Sequence, residues 1–300
     1  MKAWRWLACL SVFYGLTCAA ASWRINYPRP LSDNDKGTEY PLKLLSLALD
    51  QTGVNYRLIA SERIMTQGKA IQRLMANREV NVVWSMTDEQ REEQMLPIRI
   101  PIYKGLIGWR LLVIRSDMAS RFQYIQSLEH LVKLFPLQGS DWPDTRILQS
   151  NGFDVINGAD AESMYGMLSG AQGDFFPRSV VEIWDEMTNY DGHDKQLVIE
   201  PKLGLRYPSA MYYFVNKKSV PLAHLINTGL EMAIKNGKFD ELFMQEHQQH
   251  LTDAKINERT FYPLLNGFLP IKTPLHRKEL WYDNPQPQQD AKTAEAVSAQ

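Results

Sequence analysis

Arg91 sits in a charged segment, Asp88 to Glu93, that follows a short apolar run (Val82, Val83, Trp84) and a small polar turn (Ser85, Met86, Thr87). A guanidinium offers a planar fork that fits a carboxylate, and a turn that opens a helix presents backbone N–H groups to an anion. Ser85 and Thr87 add hydroxyl donors to the same turn. The group reads as half of an anion site. The alternative for Arg91 is a solvated face shared with Asp88, Glu89, Glu92 and Glu93, and Arg99 competes for the role of clamp. Arg178 stands at a strand end just before a helix, a place that faces the cleft in doubly wound sheets. Its alternative is an ion pair with Glu182 one helical turn on. In Gly139-Ser140-Asp141-Trp142, Ser140 and Trp142 bring backbone amides and an indole plate to a helix start, as an anionic or flat solute requires. Tyr27 and Arg29 follow the first strand directly. Trp84 reads as core, since aromatic residues within buried strands pack.

Other chemistry leaves less trace. His247 and His250 are three apart on a predicted helix, a metal-chelating spacing, but no third ligand is evident nearby and the flanking glutamines suggest an exposed face, so no metal or other cofactor is expected. The chain has no G-x-S-x-G, P-loop, H-E-x-x-H or G-x-G-x-x-G pattern. Enzymes can place an acid and a base in a cleft without a linear motif, and Glu39 or Asp144 would be candidates for such a pair.

These residues are positioned by alternating elements. Trp23 to Asn26 reads as a strand broken by Tyr27-Pro28-Arg29-Pro30. A helix through Leu42, Leu45 and Leu49 ends at Thr52-Gly53; Val54 to Ala60 alternates as a strand; a second helix through Ile71, Leu74 and Met75 leads into Val82. Strand, helix, strand, helix, strand implies parallel strands with helical crossovers and ligands at their carboxyl ends. From Leu111 the pattern restarts. Pro143 opens a helix that Asn151-Gly152 stops, Asp160 caps the helix Ala161 to Leu168, and Phe175-Phe176 is a strand from which Pro177-Arg178-Ser179 opens the helix Val180 to Met187. Tyr207 to Asn216 reads as an apolar strand, followed by a long helix to Asn236-Gly237 and another from Phe239.

Length and composition bound the rest. Three hundred residues, 44% hydrophobic, favour about two domains with a sizeable core. A formal charge of −1 without basic blocks argues against a nucleic-acid partner. Residues 1–21 combine Lys2 and Arg5, an apolar run from Trp6 to Leu16 and Ala19-Ala20-Ala21, the grammar of a cleavable secretory signal. Its removal would take both cysteines, Cys9 and Cys18, and leave a soluble periplasmic chain of charge −3. Residues 285–300, rich in Pro, Gln and Ala, are expected to be disordered.

Three stretches in this order, WSMTDEQREEQMLPIRIPIYKG, GLIGWRLLVIR and YPSAMYYFVNKKSVPLAHLINTGLEMAIKNGKFDELF, resemble the type II periplasmic solute-binding proteins, particularly the polar amino-acid-binding group called bacterial extracellular solute-binding family 3. The resemblance covers about Ser22 to Gln248. It implies an α/β fold of two lobes: residues 22–104 plus 208–260 as lobe 1, 105–207 as lobe 2, and 261–284 as a C-terminal extension. It implies two hinge crossings, near Tyr103 to Leu106 and Leu205 to Ser209, and hinge closure on a small anionic or amino-acid-like solute. Arg91 and Arg178 would then reach the solute from opposite lobes. The expected partner is an ABC permease or the periplasmic domain of a receptor, with the chain itself a monomer; a periplasmic lyase or dehydratase on the same scaffold is the alternative. The sequence departs from the group where the acidic residue that would hold an α-ammonium is replaced around Phe176-Pro177-Arg178, which opens the ligand beyond ordinary amino acids.

Overall fold

The structure, a computed structural model, describes residues 22–32, 35–190 and 196–282. Residues 1–21, read above as a secretory signal and holding Cys9 and Cys18, and the tail 285–300 lie outside the described residues. Lobe 1 begins with β1 (Ser22–Arg29), α1 (Glu39–Thr52), β2 (Asn55–Ile64), α2 (Gln67–Met75), β3 (Val83–Met86), α3 (Glu89–Gln94) and β4 (Leu96–Ile98). Lobe 2 follows with β5 (Trp109–Arg115), α4 (Ala119–Phe122), α5 (Leu128–Leu131), β6 (Leu137–Gly139), α6 (Pro143–Ser150), β7 (Ile156–Gly158), α7 (Ala161–Ser169), β8 (Phe175–Ser179), α8 (Ile183–Tyr190) and β9 (Leu197–Arg206). The chain returns to lobe 1 for β10 (Met211–Val215), α9 (Val220–Lys235) and α10 (Lys238–Ala254), and then runs to β11 (Thr260–Pro263).

Each lobe is built on one plan. In lobe 1, β1 and β2 are parallel, and β10 lies antiparallel between β3 and β4. The backbone N–H groups of Asn81 and Val82 both reach Asn26 O, which joins β1 to the approach of β3 and gives the order β2-β1-β3-β10-β4. In lobe 2, β6 and β7 are parallel, a bridge from Pro136 to Phe175 links them to β8, and β5 runs antiparallel between β8 and β9. In both sheets the antiparallel strand comes straight from the opposite lobe. Leu45 and Leu49 of the predicted spacing are buried with Leu44 and Ala48 against α9, while Leu42 is half-buried at the edge of that stripe.

The prolines do not end strands where the sequence suggests. β1 continues through Pro28 to Arg29, because the register shifts between Tyr27 and Arg29 and the ring sits at the irregularity. β8 continues through Pro177, opposite Leu112 and beyond the single bridge to Pro136, where one flanking ladder remains to be satisfied. Helix α8 therefore starts at Ile183 rather than at Val180.

The two crossings run side by side. Tyr207 N–H donates to Gly108 O and Ile102 N–H to Met211 O, and a Cβ on Gly108 would lie 2.1 Å from Tyr207 O. The segment read as an extension departs from that reading: β11 pairs in parallel with β9, adding a strand to the lobe 2 sheet, and the chain then passes back over the first crossing. There Trp281 covers Gly105, whose φ of +78° suits glycine, and Tyr282 N–H donates to Lys104 O. The connection is therefore threefold.

Candidate functional site

The carboxyl ends of both sheets meet between the lobes. Asp88 caps α3 by accepting from Arg91 N–H at 2.7 Å, which fixes the first turn of a helix only six residues long. That turn buries Arg91 to 7% exposure. Its Nη1 donates to Met86 O at 2.9 Å, and its Nη2 donates to Gln67 Oε1 at 3.3 Å and, across the cleft, to Asp141 O at 2.8 Å. Burial lowers the Arg91 pKa, and the nearby Asp88, Asp141 and Asp144 offset part of that. Arg99 instead binds Glu92, at 3.0 and 2.5 Å. Ser85 Oγ contacts Gln67 and Met86 O, and Thr87 Oγ1 donates to Glu92.

Lobe 2 supplies two further arginines. Arg178, 5% exposed at the end of β8, donates through Nε to Glu186 Oε2 at 2.7 Å and through Nη2 to Glu186 Oε1 at 2.5 Å, with Glu182 at 3.3 Å. Its guanidinium lies 4.8 Å from the Trp142 ring and 5.0 Å from the Phe176 ring. Burial alone would lower its pKa, but Glu186 and Glu182 outweigh burial and raise it. Arg110 on β5 donates to Asp144 Oδ1 at 2.5 Å and to the Tyr207 hydroxyl at 3.0 Å, and that hydroxyl donates to Asp144 in turn. Glu182 sits between Arg110 and Arg178; burial pushes its carboxyl up while both guanidiniums pull it down.

These groups wall two adjoining cavities. One, of about 200 Å³, is lined by Gln67, Trp84, Tyr103, Trp142, Arg178 and Glu182 among others. The other, of about 110 Å³, lies by Tyr40, His247 and His250 and shares Asp35, Tyr103, Glu182 and Glu186 with the first. A pinched hollow of about 60 Å³ reaches Arg110 and Asp144. A larger open groove of about 490 Å³ between α1 and α10 shares none of these residues.

Trp142 and Arg178 thus line the interlobe cavities, whereas Arg91 reaches across to Asp141 O without lining them, and Ser85 and Thr87 stay beside it in the buried turn. Tyr27 packs on Trp84 at 6.5 Å. Arg29 turns to Ser61, whose carbonyl accepts from its Nε at 2.8 Å, and Ser140 is exposed with its N–H on Gly158 O; neither lines these cavities. Trp84, read as core, forms cavity wall instead, since it is half-buried between the buried Val83 and Ser85 on a strand whose faces alternate. Glu186, Arg110 and Asp35 were missed; the signal that could have found Glu186 is its place two helical turns after Arg178. His247 is buried rather than on an exposed face, and no cluster of three His, Cys, Asp or Glu with metal-holding geometry occurs among the described residues.

No protein-family model matches the sequence, and no curated protein matches it. Solved structures do match in fold. A histidine kinase sensor domain with similarity to periplasmic binding proteins aligns at a TM-score of 0.58 and 15% identity, covering 75% of this chain and 95% of that one. The VFT2 domain of Bordetella pertussis BvgS aligns at 0.57 and 16%, covering 75% and 93%. A Salmonella typhimurium periplasmic binding protein of high arginine specificity aligns at 0.56 and 12%, covering 75% and 99%. With the two crossed sheets and the interlobe site, these matches give the chain the type II periplasmic-binding-protein fold.

Proposed function

We propose that this protein is a periplasmic solute-binding protein that captures a small amino-acid-like molecule between its lobes and presents the closed state to an ABC permease or a signalling receptor. The observation that carries the reading is the cavity at the meeting of the two sheets, walled by Gln67 and Trp84 from one lobe and by Arg178 and Trp142 from the other. Buried charges held in fixed geometry cost desolvation energy, and a binding site is where that cost is useful. The neighbours in fold include an arginine-specific periplasmic protein and a kinase sensor domain, which supports capture for transport or for sensing. Closure is a population shift, and the ligand supplies it by binding the closed state better.

The test is a thermal-shift screen over amino acids, carboxylates, amines and short peptides, with isothermal titration of every hit. A ligand at 100 times its Kd adds about 2.7 kcal/mol of stability. Trp84 and Trp142 line the cavity, so their fluorescence should change with the same midpoint. A flat response across the whole panel would overturn the reading. A second reading, a lyase or dehydratase on this scaffold, is favoured by Glu182, whose carboxyl is pushed up by burial as a general acid requires. Product analysis of a bound ligand separates the two.

A further inference from the structure

The cleft was expected to clamp an anion, but its charges are arranged otherwise. Each guanidinium in it is engaged by groups of the chain itself: Arg91 by Met86 O, Gln67 and Asp141 O, Arg110 by Asp144, Tyr207 and Glu182, and Arg178 by Glu186 and Glu182. A ligand carboxylate would have to displace one of these partners and leave a carboxylate or carbonyl uncompensated. Beyond these pairs, the walls carry more carboxylates than cations. Around the 200 Å³ cavity, Arg178 faces Asp35, Asp160, Glu182 and Glu186. Around the 110 Å³ cavity, Glu39, Asp185 and Glu246 join the shared carboxylates, Asp185 with Lys36 and Glu246 with Lys43 as exposed ion-pair partners. Aromatic faces complete the setting: Trp84 and Tyr103 in the first, where Trp142 already carries Arg178, and Tyr40 and Tyr103 in the second. Ring faces above carboxylates are the environment that an ammonium or guanidinium selects.

A second feature points to a ligand independently of charge. His247 lines the smaller cavity at 3% exposure, and neither of its ring nitrogens has a hydrogen-bond partner. A buried imidazole without partners costs free energy, and a ligand N–H placed in that cavity would recover it.

Resting on the solute-binding reading above, we infer that the ligand is an organic dication without a carboxylate, of the alkyl diamine or aminoalkyl guanidine class. One cationic end lies against Trp84 and Tyr103 beside Asp35, and the other donates to His247 beside Glu246.

The experiment compares agmatine and putrescine with arginine and glutamate by isothermal titration on the full protein. Agmatine and arginine share a guanidinium and differ in the carboxylate. Agmatine or putrescine should bind at least tenfold tighter than arginine, and glutamate should not register. Asp35 accepts from Gly37 N–H through Oδ1 and from Leu31 N–H through Oδ2; asparagine keeps the first, and the second is an exposed loop bond, so Asp35→Asn should fold and weaken the dication about tenfold; His247→Phe should also weaken it about tenfold. Tighter binding of arginine or glutamate than of agmatine would overturn the inference and leave the solute-binding reading standing. Dication binding that neither substitution changes would overturn the placement. Silence from these four probes and from the broad screen would remove both readings together.

Discussion

Replacing Arg178 with methionine tests whether the cleft network is held by mutual compensation. The substitution keeps much of the side chain's apolar stem between Trp142 and Phe176 and removes the guanidinium that Glu186 grips with both oxygens. Breaking a buried ion pair costs about 3–5 kcal/mol when the survivor is fully buried. Here Glu182 and Glu186 remain 22% and 24% exposed in their side chains, so solvent screens part of the loss and about 2–3 kcal/mol is expected. The loss should depend on pH. Burial already raises the Glu182 carboxyl against the pull of Arg178 and Arg110, and the variant loses the larger of those two pulls. A carboxyl raised in the folded state binds more protons folded than unfolded between its unfolded value, near 4.5, and its folded value; its penalty is complete above the folded value and is relieved as pH falls. Urea unfolding at pH 7.5 and pH 5 should therefore show a smaller deficit at the lower pH. Arg178→Met combined with Glu186→Gln should recover a kcal/mol or more of the single variant's loss, about the size of a coupled pair. A deficit under about 1 kcal/mol at pH 7.5, or a double variant no more stable than the single one, would refute the account.

Three further outcomes are expected. Gly108→Ala would place a Cβ 2.1 Å from Tyr207 O and 2.8 Å from Ser209 Oγ, forcing the two crossings apart, and should cost about 2 kcal/mol or more in chemical denaturation. Burial, with smaller effects from His250 and Lys43, holds His247 down to about 3, among the rings of Tyr40, Tyr103 and Phe243; below about 6.5 the unfolded chain takes up a proton that the folded one does not, so this residue should withdraw about 1.4 kcal/mol of stability per pH unit down to about 3, and His247→Gln should flatten that slope. Ending the chain at Arg259 removes the buried Leu264 and Leu280, each worth about 1.5–3 kcal/mol, and should lower Tm clearly, whereas an unchanged Tm would show that β11 and the returning segment are decoration.

The alternation of elements was legible because each helix carries its own signals. Asp160 forms the capping box that its position suggests, Pro143 opens α6, and Gly237 takes a φ of +80° after α9. Strands were harder to read. β6, β7 and β4 are three residues long, too short for an alternating pattern, and β9 contains Glu200, Pro201 and Lys202 in mid-strand. β11 is a strand only because β9 offers it an edge. The site divides in the same way. Arg91 and Arg178 could be found from strand-end positions, since the local chain sets where they stand. The Arg178 pair with Glu182 was legible too, from its spacing, but the Arg91 contact with Asp141, 50 residues on, and the Arg110 partners Asp144, Glu182 and Tyr207, 34, 72 and 97 residues away, are brought together only by the tertiary fold.

The connection between the lobes bears on how such a cleft would open. Three contacts span the cleft: Arg91 on Asp141 O, Arg146 on Asp88 and Lys36 on Asp185. Of these, the Lys36 pair is exposed and worth at most about 1 kcal/mol, and Arg146 is also well exposed on its own side, so the Arg91 bond, buried on the lobe 1 side, is the strongest of the three. On the opposite account stands the returning segment, which lies over the first crossing: Lys104 Nζ reaches Asp240 and Glu279 O, Trp281 covers Gly105, and Arg277 grips Glu231 of α9 with both terminal nitrogens. β11 in lobe 2 and Arg277 on lobe 1 belong to that one segment, so a rotation about the two crossings has to carry it along or strain it. Moving a 1:99 equilibrium to 99:1 takes about 5.5 kcal/mol of differential binding. A third connection that narrows the range of open states reduces what the ligand must supply, and it does so from the far side of the crossings, where it blocks none of the residues that line the cavities.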